Sequence, residues 1–171
     1  LSAQRSLPGN REIESALAAY QRLFKADSQP RRLRELREAA REAMALLEPF
    51  RPRLVGPVLS GTADEYAPVN LHLFADTPEQ LDMFLMERQI PYELDERILR
   101  TRPEQQERFP LYRFMAGDVV VELTVFPQKG LRQAPLSPVD GRPMERASLS
   151  NVQALLSEPD EQLIDSPQTA G

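Results

Sequence analysis

Apolar residues recur every three or four positions over the first 50 residues of the chain. Within residues 8–27 this stripe consists of Ile13, Leu17, Tyr20 and Phe24. After Pro30 it consists of Leu33, Leu36, Ala40, Met44 and Leu47. This spacing puts the apolar side chains on one face of a helix, so it predicts two amphipathic helices, and Pro49 ends the second one.

The polar side of the second predicted helix is rich in arginine. Glu38 and Glu42 are interspersed with Arg34, Arg37 and Arg41 at helical spacings, which predicts ion pairs on a solvated face. A surface that binds an anionic ligand or a partner is the alternative interpretation of these arginines.

Short apolar runs with strand character follow the second helix. Residues 54–59 form the first run, which Gly56 and Pro57 interrupt, and residues 69–74 form the second. The Gly, Asp and Pro residues between the two runs predict a loop over residues 60–68. Two strands this close in sequence most simply pair as a hairpin.

A third helix is predicted to start at Thr77. Threonine can cap a helix, Pro78 fits the first helical position, and Gln80 would complete a capping box with Thr77. The apolar stripe of this helix consists of Leu81, Phe84 and Leu85.

Three further strands are predicted after this helix. The first begins near Ile90 and enters a charged hairpin around residues 101–110, and the others cover residues 111–115 and 118–126. A tight turn at Gly117 joins the last two strands. Because helices and strands come partly in blocks, without regular alternation, the predicted fold class is α+β, with a mixed sheet that carries helices on one face.

Proline-rich sequence begins after Pro127. Residues 131–147, here called the strap, contain an Asp-Gly turn signal, and residues 148–156 have the pattern of a short helix. The strap either closes over a pocket, with Arg132 and Arg142 reaching in, or covers a sheet edge.

These segments predict a single domain over residues 1–156. Residues 1–49 would hold the helical pair, residues 50–126 the sheet core, and residues 127–156 the strap and the short helix. The polar, acidic residues 157–171 predict a disordered tail.

Composition narrows the classes of function. The 171 residues carry a formal net charge of −5, which argues against broad nucleic-acid binding. The chain has no Cys and a single His, so a metal site would depend on carboxylates, amides and His72. No apolar run is long enough for a membrane span, and the lack of Cys permits a reducing compartment, so we predict a cytoplasmic protein without a membrane partner.

The strand predicted over residues 69–74 carries two unexpected polar residues. Asn70 and His72 are two positions apart, so they project from the same side of the strand, opposite its apolar residues. On the strand predicted over residues 118–126, Glu122 also points away from the apolar side. If these two strands are neighbours, Asn70, His72 and Glu122 converge on one polar face of the sheet.

This layout resembles the nucleotidyltransferase superfamily of the DNA-polymerase-β type. That family carries Gly-Ser after a first strand, Asp-x-Asp or Asp-x-Glu on the next strand, and a third carboxylate on a later strand. In residues 30–126, "SGT" stands at the Gly-Ser position, "VNLHLF" at the Asp-x-Asp strand and "VVVELTVF" at the third-carboxylate strand. The resemblance implies that two divalent ions bridge a nucleoside triphosphate and an attacking hydroxyl, and that Ser60, Gly61 and Thr62 hold phosphate.

The chain departs from the family pattern at the metal ligands. Asn70 and His72 stand at the positions of the two Asp residues, and Glu122 alone keeps a carboxylate. The resemblance assigns the catalytic positions to Asn70, His72 and Glu122, and metal contacts to His72 and Glu122. With the other carboxylates lost, a divalent metal is expected to bind weakly, and the identity of any cofactor stays open. Further candidate phosphate contacts are Arg53, Arg113 and Arg132.

Three functions follow from this pattern. The first is a degenerate nucleotidyltransferase-like protein that binds a nucleoside triphosphate or a protein partner without the standard two-metal catalysis. The second is an active nucleotidyltransferase with an unknown acceptor, using another metal or other ligands. The third is a non-catalytic α+β interaction module in which Asn70 and His72 are ordinary polar residues of a solvated sheet face.

Overall fold

The computed structural model of the chain describes residues 29–158. The helix predicted over residues 8–27 and most of the tail predicted over residues 157–171 lie outside this range. The helices within it are α1 (Gln29–Leu46), α2 (Pro57–Ser60), α3 (Pro78–Glu87) and α4 (Leu149–Ser157), and two 3-10 turns cover Glu48–Phe50 and Gln128–Arg132. The strands are β1 (Arg53–Val55), β2 (Val69–Phe74), β3 (Glu93–Arg102), β4 (Gln105–Ala116) and β5 (Val119–Phe126).

The five strands form one mixed sheet in the order β1-β2-β5-β4-β3. Strands β1 and β2 are antiparallel, as the hairpin prediction requires, and so are the pairs β5–β4 and β4–β3. Strands β2 and β5 lie side by side and run parallel. Parallel neighbours need a long connection, and here it contains α3 and the β3–β4 hairpin.

The helices pack on one face of this sheet, and their contact with it forms the main core. The α1 residues Leu36, Ala40 and Met44 are fully buried, because their helical spacing places them on one face. They join one cluster with the inward residues of β2 and β5, with Leu81 and Leu85 of α3 and with Val152 of α4. The described residues therefore have the predicted α+β architecture, with a mixed sheet and helices on one face.

Two arginines of α1 bind backbone carbonyl groups instead of the predicted glutamates. Arg37 donates from Nε to the carbonyl of Val58 at 2.9 Å and from NH2 to that of Leu59 at 2.8 Å. Arg34 donates to the carbonyl of Leu156. These contacts tie α1 to α2 and α4, whereas Arg41 pairs with Glu38 at 3.1 Å as predicted.

The strand predicted over residues 54–59 is wrong beyond Val55. Gly56 has a φ of +81°, a conformation that side chains other than hydrogen disfavour, and it turns the chain out of β1. Pro57 then occupies the first turn of α2, where its missing N–H costs nothing.

The capping box predicted at the start of α3 does not form. Thr77 is the N-cap residue, but its side chain makes no capping hydrogen bond. The Oε1 of Gln80 instead accepts from the backbone N–H of Asp76 at 3.1 Å. A capping box is present at α4, between Ser148 and Asn151.

The strap crosses the sheet from one edge to the other. Leu136 makes an isolated antiparallel bridge with Arg100 of β3, and Ala147 makes one with Leu54 of β1. Between these bridges, the predicted Asp-Gly turn closes a small hairpin, in which the N–H of Ser137 donates to the carbonyl of Arg142 at 2.7 Å. The strap therefore contacts both edge strands, at one bridge each, and passes over the polar face.

No helix within residues 29–158 combines the length and the apolar character that a bilayer crossing requires.

Candidate functional site

The polar face carries Asn70 and Glu122 in directly opposed positions. Asn70 of β2 is the register partner of Glu122 of β5, and His72 is the partner of Thr124. On the next strand, Arg113 of β4 lies opposite Glu122. The neighbour relation on which the predicted convergence depends is therefore present, and all of these residues project from the face opposite the helices.

Glu122 is a largely buried carboxylate held by two arginines. Its Oε1 accepts from NH2 of Arg97 at 2.7 Å, and its Oε2 accepts from Nε of Arg113 at 2.9 Å. Burial alone would raise the pKa of Glu122, but the hydrogen bonds and charges of Arg97 and Arg113 outweigh it, and the pKa is lowered. Glu122 is therefore ionised at neutral pH, with both oxygens engaged.

Arg97 reaches the site from the outer strand β3. Besides Glu122, its NH1 donates to Oδ1 of Asn70 at 3.0 Å and approaches Oγ1 of Thr124 at 3.4 Å. Because β3 and β2 are separated by β4 and β5, the long arginine side chain spans the polar face to make these contacts. Arg97 thus connects the amide, the hydroxyl and the carboxylate of the central strands.

His72 is buried on the polar face, with only 2% of its surface exposed. Its Nδ1 accepts from Nε of Arg146 at 3.0 Å, so the neutral ring carries its proton on Nε2. Burial lowers the pKa of His72 well below its ordinary value, and the positive charges of Arg146 and Arg97 lower it further. His72 is therefore not on a solvated sheet face, as the interaction-module alternative has it, because the strap lies over it.

A small apolar cluster of three phenylalanines lies beside the Arg146 guanidinium on the polar face. Phe74, Phe109 and Phe126 pack together, with ring centroids 5.7 Å apart for Phe74–Phe126 and 4.5 Å apart for Phe109–Phe126. The Arg146 guanidinium lies 4.9 Å from the Phe74 ring centroid and donates from NH1 to the carbonyl of Gly130 at 2.7 Å. Burial and the charge of Arg53 lower the pKa of Arg146 to about 10, so it remains a cation at neutral pH.

A cleft of about 830 Å³ opens between the polar face, the α2 region and the strap. The polar groups that line it are Ser60, Thr62, Asn70, His72, Arg97, Glu122, Ser137, Asp140, Arg142 and Glu145. The apolar lining includes Val55, Leu59, Leu99, Val139 and Met144. This mixture, and a volume within the range of about 300–1,000 Å³, is typical of small-molecule sites.

Only some of the residues predicted to bind phosphate line the cleft. Ser60 and Thr62 line the cleft, with their hydroxyl oxygens 3.0 Å apart. Gly61 caps the end of α2 with a φ of +90°. Arg53, Arg113 and Arg132, which all lie in the described range, are not among the lining residues, whereas Arg142 is.

A divalent metal does not fit the contacts made by the predicted ligands. Both oxygens of Glu122 and the Nδ1 of His72 accept hydrogen bonds from guanidinium groups. Such groups carry positive charge into the place where a cation would have to bind. No cluster of three or more metal-ligating His, Asp or Glu side chains occurs within residues 29–158.

Sequence reasoning missed Arg97 and Arg146 as parts of this site. Alternation along β3 places Arg97 on the same side as Glu93 and Asp95, which are neighbours of Arg113. That signal could have assigned Arg97 to the polar face, although its contact with Asn70 depends on the strand order. Arg146 lies in irregular sequence, where no periodic signal marks its direction.

Comparison with known proteins gives little further information. The chain matches no family model and no curated protein. One solved structure similar to part of it is that of the GLD-2/RNP-8 complex, with a TM-score of 0.36 and 18% sequence identity. The alignment covers 61% of this chain and 43% of that chain, so this chain spans less than half of the length of its neighbour.

Proposed function

We propose that this protein binds a nucleotide in the cleft below the strap and does not carry out two-metal nucleotidyl transfer. The observation that supports the second part is the engagement of both Glu122 oxygens by Arg97 and Arg113. A hard cation prefers anionic oxygens whose charge is not already balanced, whereas both Glu122 oxygens accept from guanidinium groups. The protein is then a nucleotidyltransferase-like domain whose metal positions hold other groups.

The lining of the cleft supports a nucleotide as the ligand. Arg142 supplies positive charge for a phosphate group, and the hydroxyls of Ser60 and Thr62 supply further donors. The carboxylates of Asp140 and Glu145 can accept hydrogen bonds from amino or ribose hydroxyl groups. The apolar lining residues suit the flat body of a base, so the cleft offers complementary groups to each part of a nucleotide.

Thermal unfolding in the presence of nucleotides tests this function. We expect ATP, GTP, CTP or UTP to raise the Tm of the purified protein by several degrees, since a ligand at 100 times its Kd adds about 2.7 kcal/mol to the free energy of unfolding. The Arg142→Ala variant should lose this shift, and Arg108→Ala, which removes an exposed pair with Glu96, should keep it.

Turnover is measured in the same preparations as release of pyrophosphate with Mg²⁺ or Mn²⁺. We expect none above background. Metal-dependent release that Glu122→Gln abolishes would contradict the non-catalytic part of the proposal. A protein whose Tm no nucleotide changes would contradict the nucleotide part and favour a protein-binding module instead.

A further inference from the structure

Three oxygen atoms from the two central strands converge on one guanidinium. They are Oδ1 of Asn70 at 3.0 Å and Oγ1 of Thr124 at 3.4 Å from Arg97 NH1, and Oε1 of Glu122 at 2.7 Å from Arg97 NH2. Thr124 is fully buried and Glu122 is 12% exposed, so these oxygens lie in a largely dehydrated place. Their common partner is the cationic end of a side chain that belongs to the β3–β4 hairpin.

A carboxylate, an amide oxygen and a hydroxyl are also the ligands that hard divalent cations take. In this chain their negative charge is already balanced, because Arg97 and Arg113 both contact Glu122. A divalent ion placed among the three oxygens would lie against the Arg97 guanidinium and would be repelled by it. The same three atoms cannot serve both cations at once.

We propose that Arg97 takes the place of a divalent cation at Asn70, Thr124 and Glu122, and that it excludes metal from a site these residues would otherwise form. The neutral amide of Asn70 suits this arrangement, because Glu122 is then the carboxylate whose charge the Arg97 guanidinium balances. Ligand binding in the cleft is then independent of divalent metal. This last consequence rests on the proposed function, whereas the exclusion of metal does not.

Titration of metal-free protein with MnCl₂ in a calorimeter tests the exclusion. The four proteins compared are the wild type, Asn70→Asp, Arg97→Ala and the double variant N70D/R97A, each checked for folding by circular dichroism. We expect no bound Mn²⁺ in the wild type or in Asn70→Asp up to about 1 mM metal, the weak end of protein cation sites. The double variant should bind one equivalent at least about tenfold more tightly than Asn70→Asp, because two carboxylates then face each other without the Arg97 guanidinium between them.

The design separates the effect of Arg97 from the effect of the missing carboxylate. Asn70→Asp binding Mn²⁺ as tightly as the double variant would overturn the proposal, as would a folded double variant that binds none. N70D/R108A is the matched control, because it removes an arginine of the same hairpin that lies outside the site, and it should bind no Mn²⁺. Adding Glu122→Gln to the double variant should abolish the binding and so assign it to this site.

If Arg97→Ala does not fold in the double variant, N70D/R97M keeps the aliphatic length of the side chain and replaces it in the same titration. The experiment contains no nucleotide, so its outcome is separate from that of the proposed function. The Mn²⁺ pattern described above, together with a nucleotide-insensitive Tm, would leave metal exclusion intact and remove only the nucleotide proposal. Nucleotide-dependent stabilisation combined with Mn²⁺ binding to the wild type would overturn metal exclusion and leave the nucleotide-binding proposal intact.

Discussion

His72 is a buried imidazole whose neutral form is fixed by an arginine. The Nε of Arg146 donates to its Nδ1 at 3.0 Å, which a protonated ring could not accept. Protonation would also place a positive charge near Arg146 and Arg97 in a site with little water. His72 therefore acts as a hydrogen-bond acceptor that links β2 to the strap. Protonation of its ring would destabilise the folded state.

The pH dependence of unfolding should report this residue. The pKa of His72 is lowered in the folded state, so below the ordinary value of 6.5 the unfolded chain binds a proton that the folded chain does not. The stabilisation is fully present above pH 6.5 and is lost as the pH falls toward the folded pKa. Urea unfolding from pH 8 to pH 5 should show the free energy of unfolding falling below pH 6.5, by up to about 1.4 kcal/mol per pH unit.

His72→Asn is the control for this prediction, because the Asn Oδ1 can take the place of Nδ1 and does not titrate in this range. Between pH 6.5 and pH 5, the free energy of unfolding should fall less steeply with pH in this variant, because the proton taken up by His72 in the unfolded chain is missing. An identical slope in the wild type and in His72→Asn would show that other groups cause it.

The strap is the element that turns an exposed sheet face into a cleft. Its two ends bridge to Arg100 and Leu54 on opposite edge strands, and Arg146 anchors it near the phenylalanine cluster. Edge strands expose unpaired N–H and C=O groups, which such bridges satisfy in part. Each interpretation of the strap made from the sequence holds in part, since the strap bridges to one residue of each edge strand and lines the cleft with Arg142 but not with Arg132.

Arg146→Ala should loosen the strap without unfolding the helical layer. The change removes the donors to His72 and Gly130, and we expect it to lower the free energy of unfolding by about 1–3 kcal/mol. Hydrogen exchange followed by mass spectrometry should show faster exchange within residues 135–147 and unchanged exchange in α1. Arg132→Ala, at an exposed position just before this segment, is the control and should change neither region. Protection of residues 135–147 equal to that of the wild type would contradict the anchoring role.

The whole molecule is held by one main core that every layer shares. Leu123 of β5 is fully buried at the centre of this core, with α1, α3 and α4 all contributing to the same cluster. The arginines of α1 add contacts to α2 and α4 through backbone carbonyls. Because the helices and the sheet share one main core, the described part of the chain is expected to unfold as one unit.

Two spectroscopic probes should therefore give the same unfolding transition. Far-UV circular dichroism reports the backbone, and near-UV circular dichroism reports the packing of Tyr92 and Tyr112, whose ring centroids are 5.3 Å apart. Leu123→Ala should shift both transitions together and lower the free energy of unfolding by about 2–5 kcal/mol. Leu94→Ala, at a residue 63% exposed, should change it by less than about 0.5 kcal/mol. Separate transitions for the two probes would show that the layers unfold independently.

The elements of this fold were largely predictable because their signals are local. The apolar stripe of α1 and the alternation in β2 and β5 gave the correct element types and the correct inward faces. The errors arose where one residue changed the backbone direction, as at Gly56, or where a side chain chose another partner, as Gln80 did. Within the candidate site, Asn70, His72 and Glu122, the hydroxyls of Ser60 and Thr62 and Arg142 of the strap were predicted, whereas Arg97 and Arg146 were not.

By itself, the sequence determined which side chains share a strand face, because alternation is a property of the extended backbone. It could not determine which strands are neighbours, how far Arg97 reaches across them, or that the strap returns to cover His72. Those features depend on contacts between residues far apart in the chain, such as Arg146 with His72 and Arg97 with Asn70. Only the tertiary structure brings these groups together, and with them it decides that guanidinium groups occupy the contacts where the sequence suggested a metal.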